Sequence, residues 1–502
     1  MSATAAGSIE GKAVEGERAR WIALLVLCTG FLMIVLDQTI VNVALPTIQG
    51  DLGFSQSGLA WVVNAYLIAF GGLLLLAGRL GDLIGRREMF LAGLVVFTFA
   101  SLLCGLAQSQ GMLIGARFLQ GAGGAMASAV ILGMIVTMFP APSEQARAIG
   151  VYSFVASAGG AIGLLAGGVL TQALSWHWIF FVNLPIGLAA VFLARRLLER
   201  EPGIGLGRGA DVSGALLIVG ALMLGVYTIV GAADHGWGSA QTLGLGAVAV
   251  GLLVAFVARE ATARQPLIPL RIFRSRNVSG ANAVQALMIA GMFGMFFLGV
   301  LYLQRVLGYD AIEIGLAFLP VALGIGTLSL GFSARLITRF GARATLVPGL
   351  VLVAAGLGFF QRVPLDATYL ADILPAMLLI GIGAGLSFPS LMTLAMSGAT
   401  ASDSGLASGL VNTTLQVGGA LGLAVLATLS TSRTDELLAS GSVAEVALTD
   451  GYRLAFTTSA GLVVLALALA LTVLKPDRAI PEPEPAEAPP PGAEPAFSGE
   501  EA

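Results

Sequence analysis

Charge is what this 502-residue chain has least of: only 11% of its residues are charged, against 57% hydrophobic, and its mean hydropathy is +0.90. A soluble domain carries about 25% charged residues because water covers its surface, so this composition excludes a water-soluble globular fold. Cysteine is almost absent. Cys28 and Cys104 both fall inside apolar runs, which excludes a disulfide framework and marks them as inert packing residues. The two histidines, His177 and His235, read as solvated near their neighbours, and no spacing suggests a metal site. The glycine-rich runs lack the lysine of a phosphate-binding loop. Arginine outnumbers lysine 24 to 2, which reads as codon bias. A cleavable signal sequence is not expected, because residues 1–17 are polar and rich in Ala and Gly; the apolar run from Trp21 serves as anchor and first helix.

What is present is a succession of apolar stretches, each long enough to cross about 30 Å of hydrocarbon as a helix. They do not alternate as barrel strands would. The expected fold class is therefore an all-α membrane protein with fourteen spans, near 21–45, 58–77, 89–108, 112–136, 148–170, 178–194, 212–231, 241–258, 278–303, 312–333, 343–361, 371–394, 405–430 and 454–474. Cytoplasmic loops collect Lys and Arg. With the N-terminus inside, 21 of the 26 basic residues fall on inner segments, four on outer ones, and Arg117 within a span. Both termini are thus expected in the cytoplasm, across a cell (inner or plasma) membrane. Trp61, Trp176, Trp178 and Trp237 fall at outer boundaries and Trp21 at an inner one. Residues 432–452 are expected to form the longest outer loop, with a short helix. The acidic, Pro-rich segment 476–502 is expected to be disordered.

One sequence frame recurs. Gly78-Arg-Leu-Gly-Asp82-Leu-Ile-Gly85-Arg86-Arg87 is echoed 256 residues later by Ala334-Arg-Leu-Ile-Thr338-Arg-Phe-Gly341-Ala-Arg343. The repeat predicts an N-terminal tail (1–20), a six-helix bundle (21–196), a linker with two inserted helices (197–276), a second six-helix bundle (277–475) and the tail. Two bundles about an axis along the membrane normal, with a midplane site between them, form a transporter architecture.

The frame 78–87 resembles the loop signature of the major facilitator superfamily. Leu36-Asp37-Gln38-Thr39-Ile40-Val41-Asn42-Val43-Ala44-Leu45-Pro46 resembles the first-helix motif of its fourteen-span drug:proton antiporters, and Leu113-Ile-Gly-Ala-Arg117-Phe-Leu-Gln120-Gly121 the fourth-helix motif. Residues 176–187 and 412–419 are similar to the family as well. The resemblance implies entry of protons driving export of a substrate, with no cofactor beyond the proton gradient.

Asp37 is read as the only acid deep within a span and Arg117 as the only deep base; embedded charges mark pathways or relays. At 1.5 Å per residue they lie about 13 Å from Pro46 and about 8 Å from the outer start of the fourth helix. Proton coupling is one reading, with a structural ion pair the other. Gly78, Asp82, Gly85, Arg86 and Arg87 form a cytoplasmic gate loop by resemblance, or a topogenic turn. Gly159, Gly163, Gly167 and Gly168, with Gly160, form a close-packing surface on the fifth helix or, by resemblance, the antiporter motif that acts as hinge and seal between the halves; that motif has proline where Leu164 stands. Gln38, Asn42, Asn64, Tyr66, Gln120, Asn282, Gln285, Asn412 and Gln416 are candidates for the substrate cavity or for interhelical hydrogen bonds. Met288, Met292, Met295, Phe293, Phe296 and Phe297 suit an adaptable ligand surface or a lipid-facing one. The expectation is a non-enzymatic, proton-coupled exporter of amphipathic or hydrophobic small molecules such as drugs, dyes or antibiotics. A dedicated exporter of one metabolite, lipid or self-made antibiotic is the alternative. Its partners are then the small-molecule substrate, protons and the bilayer, with no nucleic acid, and the chain is taken as monomeric.

Overall fold

A computed structural model describes residues 3–200, 202–205, 209–397 and 404–475; the tail expected at 476–502 lies outside them. Fourteen helical stretches follow one another: α1 (Ala3–Leu52), α2 (Gln56–Ile84), α3 (Arg86–Gly105), α4 (Gln110–Met138), α5 (Pro142–Ala173), α6 (Trp178–Leu197), α7 (Val212–His235), α8 (Ala240–Thr262), α9 (Arg276–Arg305), α10 (Ala311–Thr327), α11 (Ala342–Phe360), α12 (Tyr369–Met396), α13 (Ser404–Ala439) and α14 (Ala444–Thr472). Among the described residues, twelve helices are long and apolar enough to span a membrane; α5 and α10 supply the shorter apolar stretches Ala158–Ala173 and Ala311–Thr327. α10 continues through a π-helical turn, Leu328–Phe332, into the helix Ser333–Phe340. Hydrocarbon leaves no water for open backbone groups, so helix ends are closed locally. Ser55, Ser109, Asp211, Ser239, Ser275 and Asp310 each accept the backbone amide three residues on.

The packing repeats. In the first half α3 packs on α4 and α6, α2 on α4, and α1 on α5 and α6. In the second, α11 packs on α12 and α14, α10 on α12, and α9 on α13 and α14. The repeated frame supplies the same turn twice: Gly85 (φ 110°) joins α2 to α3, and Gly341 (φ 90°) joins the α10 extension to α11. Only glycine adopts such angles without strain.

The halves meet along two seams, α2 against α13 and α5 against α10. At the arginine-poor end, Gln56 donates to Ser430 (3.4 Å), Gln172 to Asp310 (3.1 Å), and Arg305 to Gln49. Deeper in, Thr413 Oγ1 donates to the Gly71 carbonyl (3.2 Å), and Leu75 lies against Gly409. The inserted α7 lies outside the first seam and touches both of its helices. Val219 abuts Gly72 of α2, and the Ile229 carbonyl accepts from Thr428 of α13 at 3.1 Å.

Several expected boundaries move. Pro46 does not end α1, which runs on to Leu52, because a single missing amide is tolerated where neighbouring helices enclose the turn. The segment expected as an N-terminal tail is helical from Ala3. The outer loop expected at 432–452 is only the turn 440–443. α13 and α14 extend because their polar residues are satisfied internally, as where Thr434 donates to the Ser430 carbonyl (2.9 Å).

Candidate functional site

α1, α2, α3, α4 and α6 converge on one buried polar cluster. Arg117 and Gln120, three apart on α4, share a face. Arg117 Nη1 donates to Asp37 Oδ2 and to Gln120 Oε1, each at 2.5 Å, while its Nε donates to the Val62 carbonyl at 3.0 Å. Asp37 Oδ1 accepts from Gln120 Nε2 (2.7 Å) and from Asn183 Nδ2 (3.1 Å). Gln120 Nε2 also reaches Ser101 (2.8 Å), and the guanidinium lies 4.4 Å from the Tyr66 ring centroid and 5.8 Å from that of Phe180. Gly121 lets α4 approach the Tyr66 backbone, where any Cβ would collide. Asp37 is 0% exposed and Arg117 1%, so both charges are sealed from water in this conformation. The carboxylate is held by three donors from two helices, and moving it from Arg117 requires α1 and α4 to shift relative to each other.

In the gate loop, Asp82 pairs with Arg86 at 3.3 Å, and Arg86 also donates to the Gly133 carbonyl of α4 at 3.3 Å. Arg87 pairs with Glu88 (3.1 Å) and donates to the Arg195 carbonyl at the end of α6 (2.6 Å). Gly78 faces Ala129 of α4. The linker after α6 straps this loop: the Ile204 amide donates to the Asp82 carbonyl and the Gly205 amide to that of Leu83, both at 3.0 Å.

The glycines of α5 divide by face. Gly159, Gly163 and Gly167 pack on α1, against Val35, Leu36 and Thr39, and Ile40 respectively. Gly168 meets α10 of the other half, where a Cβ would lie 2.6 Å from the Ala311 carbonyl oxygen. Gly160 meets nothing within 4 Å. Leu164 is buried, and its carbonyl backs onto Gly315 of α10, so this helix holds both a half and a seam without the proline.

The cavity candidates do not form one surface. Gln120 belongs to the charged cluster. Tyr66 Oη accepts from Gln38 Nε2 at 3.4 Å, and Asn42 Nδ2 turns back to the Gln38 carbonyl at 3.1 Å. In the other half, Asn282 donates to the Val278 carbonyl and accepts from Thr414 (2.9 Å), while Gln285 donates to the Val411 carbonyl (2.9 Å). Asn412 is exposed on α13. Gln416 is buried with Oε1 unpartnered, and Asn64 is buried with both amide atoms unpartnered. Met288, Met292, Met295 and Phe297 are enclosed in the bundle rather than on its outside, while Phe293 and Phe296 are half-buried, Phe293 beside Gly419 and Phe296 stacked on Phe318 at 5.5 Å.

Sequence reasoning missed Asn183, Ser101 and the aromatic wall from Phe180. It also ended the eighth span at 258 and so overlooked Glu260. α8 runs to Thr262, and Glu260 is a second acid buried within a helix, at 3% exposure, its Oε2 accepting the Ile268 amide at 2.8 Å.

A sequence profile of the Major Facilitator Superfamily matches residues 27–423. The chain is 40% identical over 473 residues to the puromycin resistance protein pur8 of Streptomyces alboniger, covering 93% of this chain and 94% of that one. It is 41% identical over 457 residues to the cephamycin export protein CmcT of Amycolatopsis lactamdurans, covering 89% and 91%. Its fold is similar to that of a bacterial homologue of the human lysosomal transporter Spinster, solved in an inward-facing and unoccupied conformation, with a TM-score of 0.64 at 16% identity over 90% of this chain and 96% of that one. With two repeated six-helix halves and a profile match across most of its length, the chain belongs to the Major Facilitator Superfamily.

Proposed function

We propose that this membrane protein is a proton-coupled exporter of amphipathic or hydrophobic small molecules, working by alternating access. The observation that carries the reading is the enclosed Asp37–Arg117 pair, two charges placed where only a relay or a lock repays their desolvation. Asp37 is the proton carrier. Arg117 competes with the proton for it, so that loading and release follow the movement of α1 against α4. The energy source is the proton gradient, with no cofactor; one charge crossing 100 mV releases about 2.3 kcal/mol. The arginine-rich face is cytoplasmic, all fourteen helices cross the cell membrane, and the unit is a monomer. The cross-half contacts of Gln56, Gln172 and Arg305 then close the outer face. Asp82 with Arg86 and Arg87 latches the cytoplasmic side. With one acid in the cavity region, monovalent lipophilic cations and neutral compounds fit better than dications.

A second reading, a dedicated exporter of one self-made antibiotic, is favoured by the names of the two relatives, each tied to a single antibiotic. The breadth of resistance conferred on a sensitive host separates the two. Dye efflux in everted vesicles, with and without an uncoupler, tests the coupling. Wild type concentrates dye and stops when uncoupled, whereas Asp37→Asn fails to concentrate it; an Asp37→Asn variant pumping uphill at the full rate would refute the assignment.

A further inference from the structure

The arginine-rich end of the inserted hairpin holds a cavity of about 620 Å³ that the transport reading does not use. It is lined by Gly209, Ala210 and Asp211 at the start of α7, and by Arg259, Thr262 and Arg264 at the end of α8. Asp211 is buried and grips Arg259 only through Nε, at 3.0 and 3.2 Å, which fixes the guanidinium in place and leaves its two outer nitrogens for another partner. Arg264 is exposed and makes no hydrogen bond or ion pair with the described residues. The guanidiniums of Arg79, Arg259 and Arg264 stand against two carboxylates, Asp211 and the neighbouring Glu260, which leaves the cavity cationic. Arg79, next to Gly78 of the gate loop, ties both rims together: its Nε donates to the Gly209 carbonyl at 3.3 Å and its Nη2 to Gln265.

What lies beneath the cavity identifies its occupant. Val248, Ala255, Arg259 and Thr262 recur at helical spacing along one exposed face of α8. The cationic end of that face is therefore continuous with an apolar flank pointing away from the bundle. On the neighbouring α7, Val212 and Leu216 are exposed at the same level. A phosphate held by planar, bidentate guanidiniums above an apolar wall is the arrangement that suits a phospholipid. We propose that this cavity is a binding site for the headgroup of an anionic phospholipid, whose acyl chains lie along α8. The proposal needs only the membrane setting of the hairpin and is independent of proton coupling. Because Arg79 spans the rims, occupancy also braces the end of α2 that carries the gate loop.

The test uses the purified full-length chain in a neutral detergent, titrated with phosphatidylglycerol, phosphatidylcholine, or inorganic phosphate, with thermal midpoint and native mass spectrometry as readouts. Phosphatidylglycerol is expected to raise the midpoint and to remain bound, while phosphatidylcholine and inorganic phosphate at the same concentration do neither. Arg264→Gln removes no internal hydrogen bond, so it folds, and should weaken the apparent affinity for phosphatidylglycerol about fivefold. Arg259→Gln/Arg264→Gln should abolish the retained lipid. Equal protection of wild type and Arg264→Gln overturns the site, protection by phosphatidylcholine overturns its selectivity for negative charge, and protection by inorganic phosphate alone replaces the lipid with a soluble anion.

Discussion

Removing both members of the Asp37–Arg117 pair should cost less than the two single losses added together. The two groups meet at 2.5 Å with 0% and 1% side-chain exposure, and unit charges about 4 Å apart attract by about 4 kcal/mol at an effective dielectric of 20. Taking one partner away strands the other in a site without water, which in buried pairs costs about 3–5 kcal/mol. Arg117→Gln also loses the ring contact with Tyr66 and the bond to the Val62 carbonyl, so it should fall at the upper end of that range. Asp37→Asn keeps an oxygen for Gln120 but leaves Arg117 uncompensated, so it should fall at the lower end. The double variant Asp37→Asn/Arg117→Gln buries no net charge and should be less destabilised than the sum of the singles by at least about 2 kcal/mol. The measurement is a double-mutant cycle on the purified protein, by reversible unfolding in mixed detergent micelles. Losses that add to within about 0.5 kcal/mol would mean the charges do not sense each other, and the relay would go with them.

Two further substitutions have defined outcomes. Asn64 shares a face of α2 with Gly71 and Leu75, which meet α13, yet both of its amide atoms are buried and unpartnered. Asn64→Leu should therefore stabilise this conformation by about 1–3 kcal/mol; a lowered thermal midpoint would show that the amide is satisfied. Asp310 caps α10, and the backbone amide of Glu313, followed by the Gln172 side chain, holds its carboxyl below the usual carboxylate value. A group depressed on folding stabilises above its unfolded pKa and loses that contribution as pH falls through the folded one. The thermal midpoint of Asp310→Ala should then trail wild type at pH 7 and converge with it below about pH 4. A gap that persists in acid would assign the cap to something other than the charge.

Asp37 and Arg117 were legible because hydrocarbon penalises an ionised side chain too heavily for one to stand inside an apolar run by accident. Their mutual contact was only half legible: counting from Pro46 assumed that proline closes α1, whereas the helix continues to Leu52. Glu260 escaped because Arg259-Glu260 reads as the polar end of a span; only the turn that folds Ile268 back over it shows that it is enclosed. Asn183 lies in the family-like stretch 176–187, which marks the residue but not its bond to Asp37; Ser101 carries no signal that separates it from other uncharged polar residues at helix interfaces. The outer ends of α13 and α14 were hidden for a related reason. Their threonines and serines look like loop residues, but they bond back to their own helices. The spacing of the repeated glycines survived because a backbone requirement leaves one residue type little freedom.

The inserted α7 is pinned at two heights, to α2 beside Gly72 and to α13 at Thr428, one joint on each half. Any tilt of one half against the other changes the span between those joints, and a rigid helix cannot stretch to follow both. In the proposed rocking cycle one joint would have to give way, and the extra hairpin would then travel with whichever half keeps its hold.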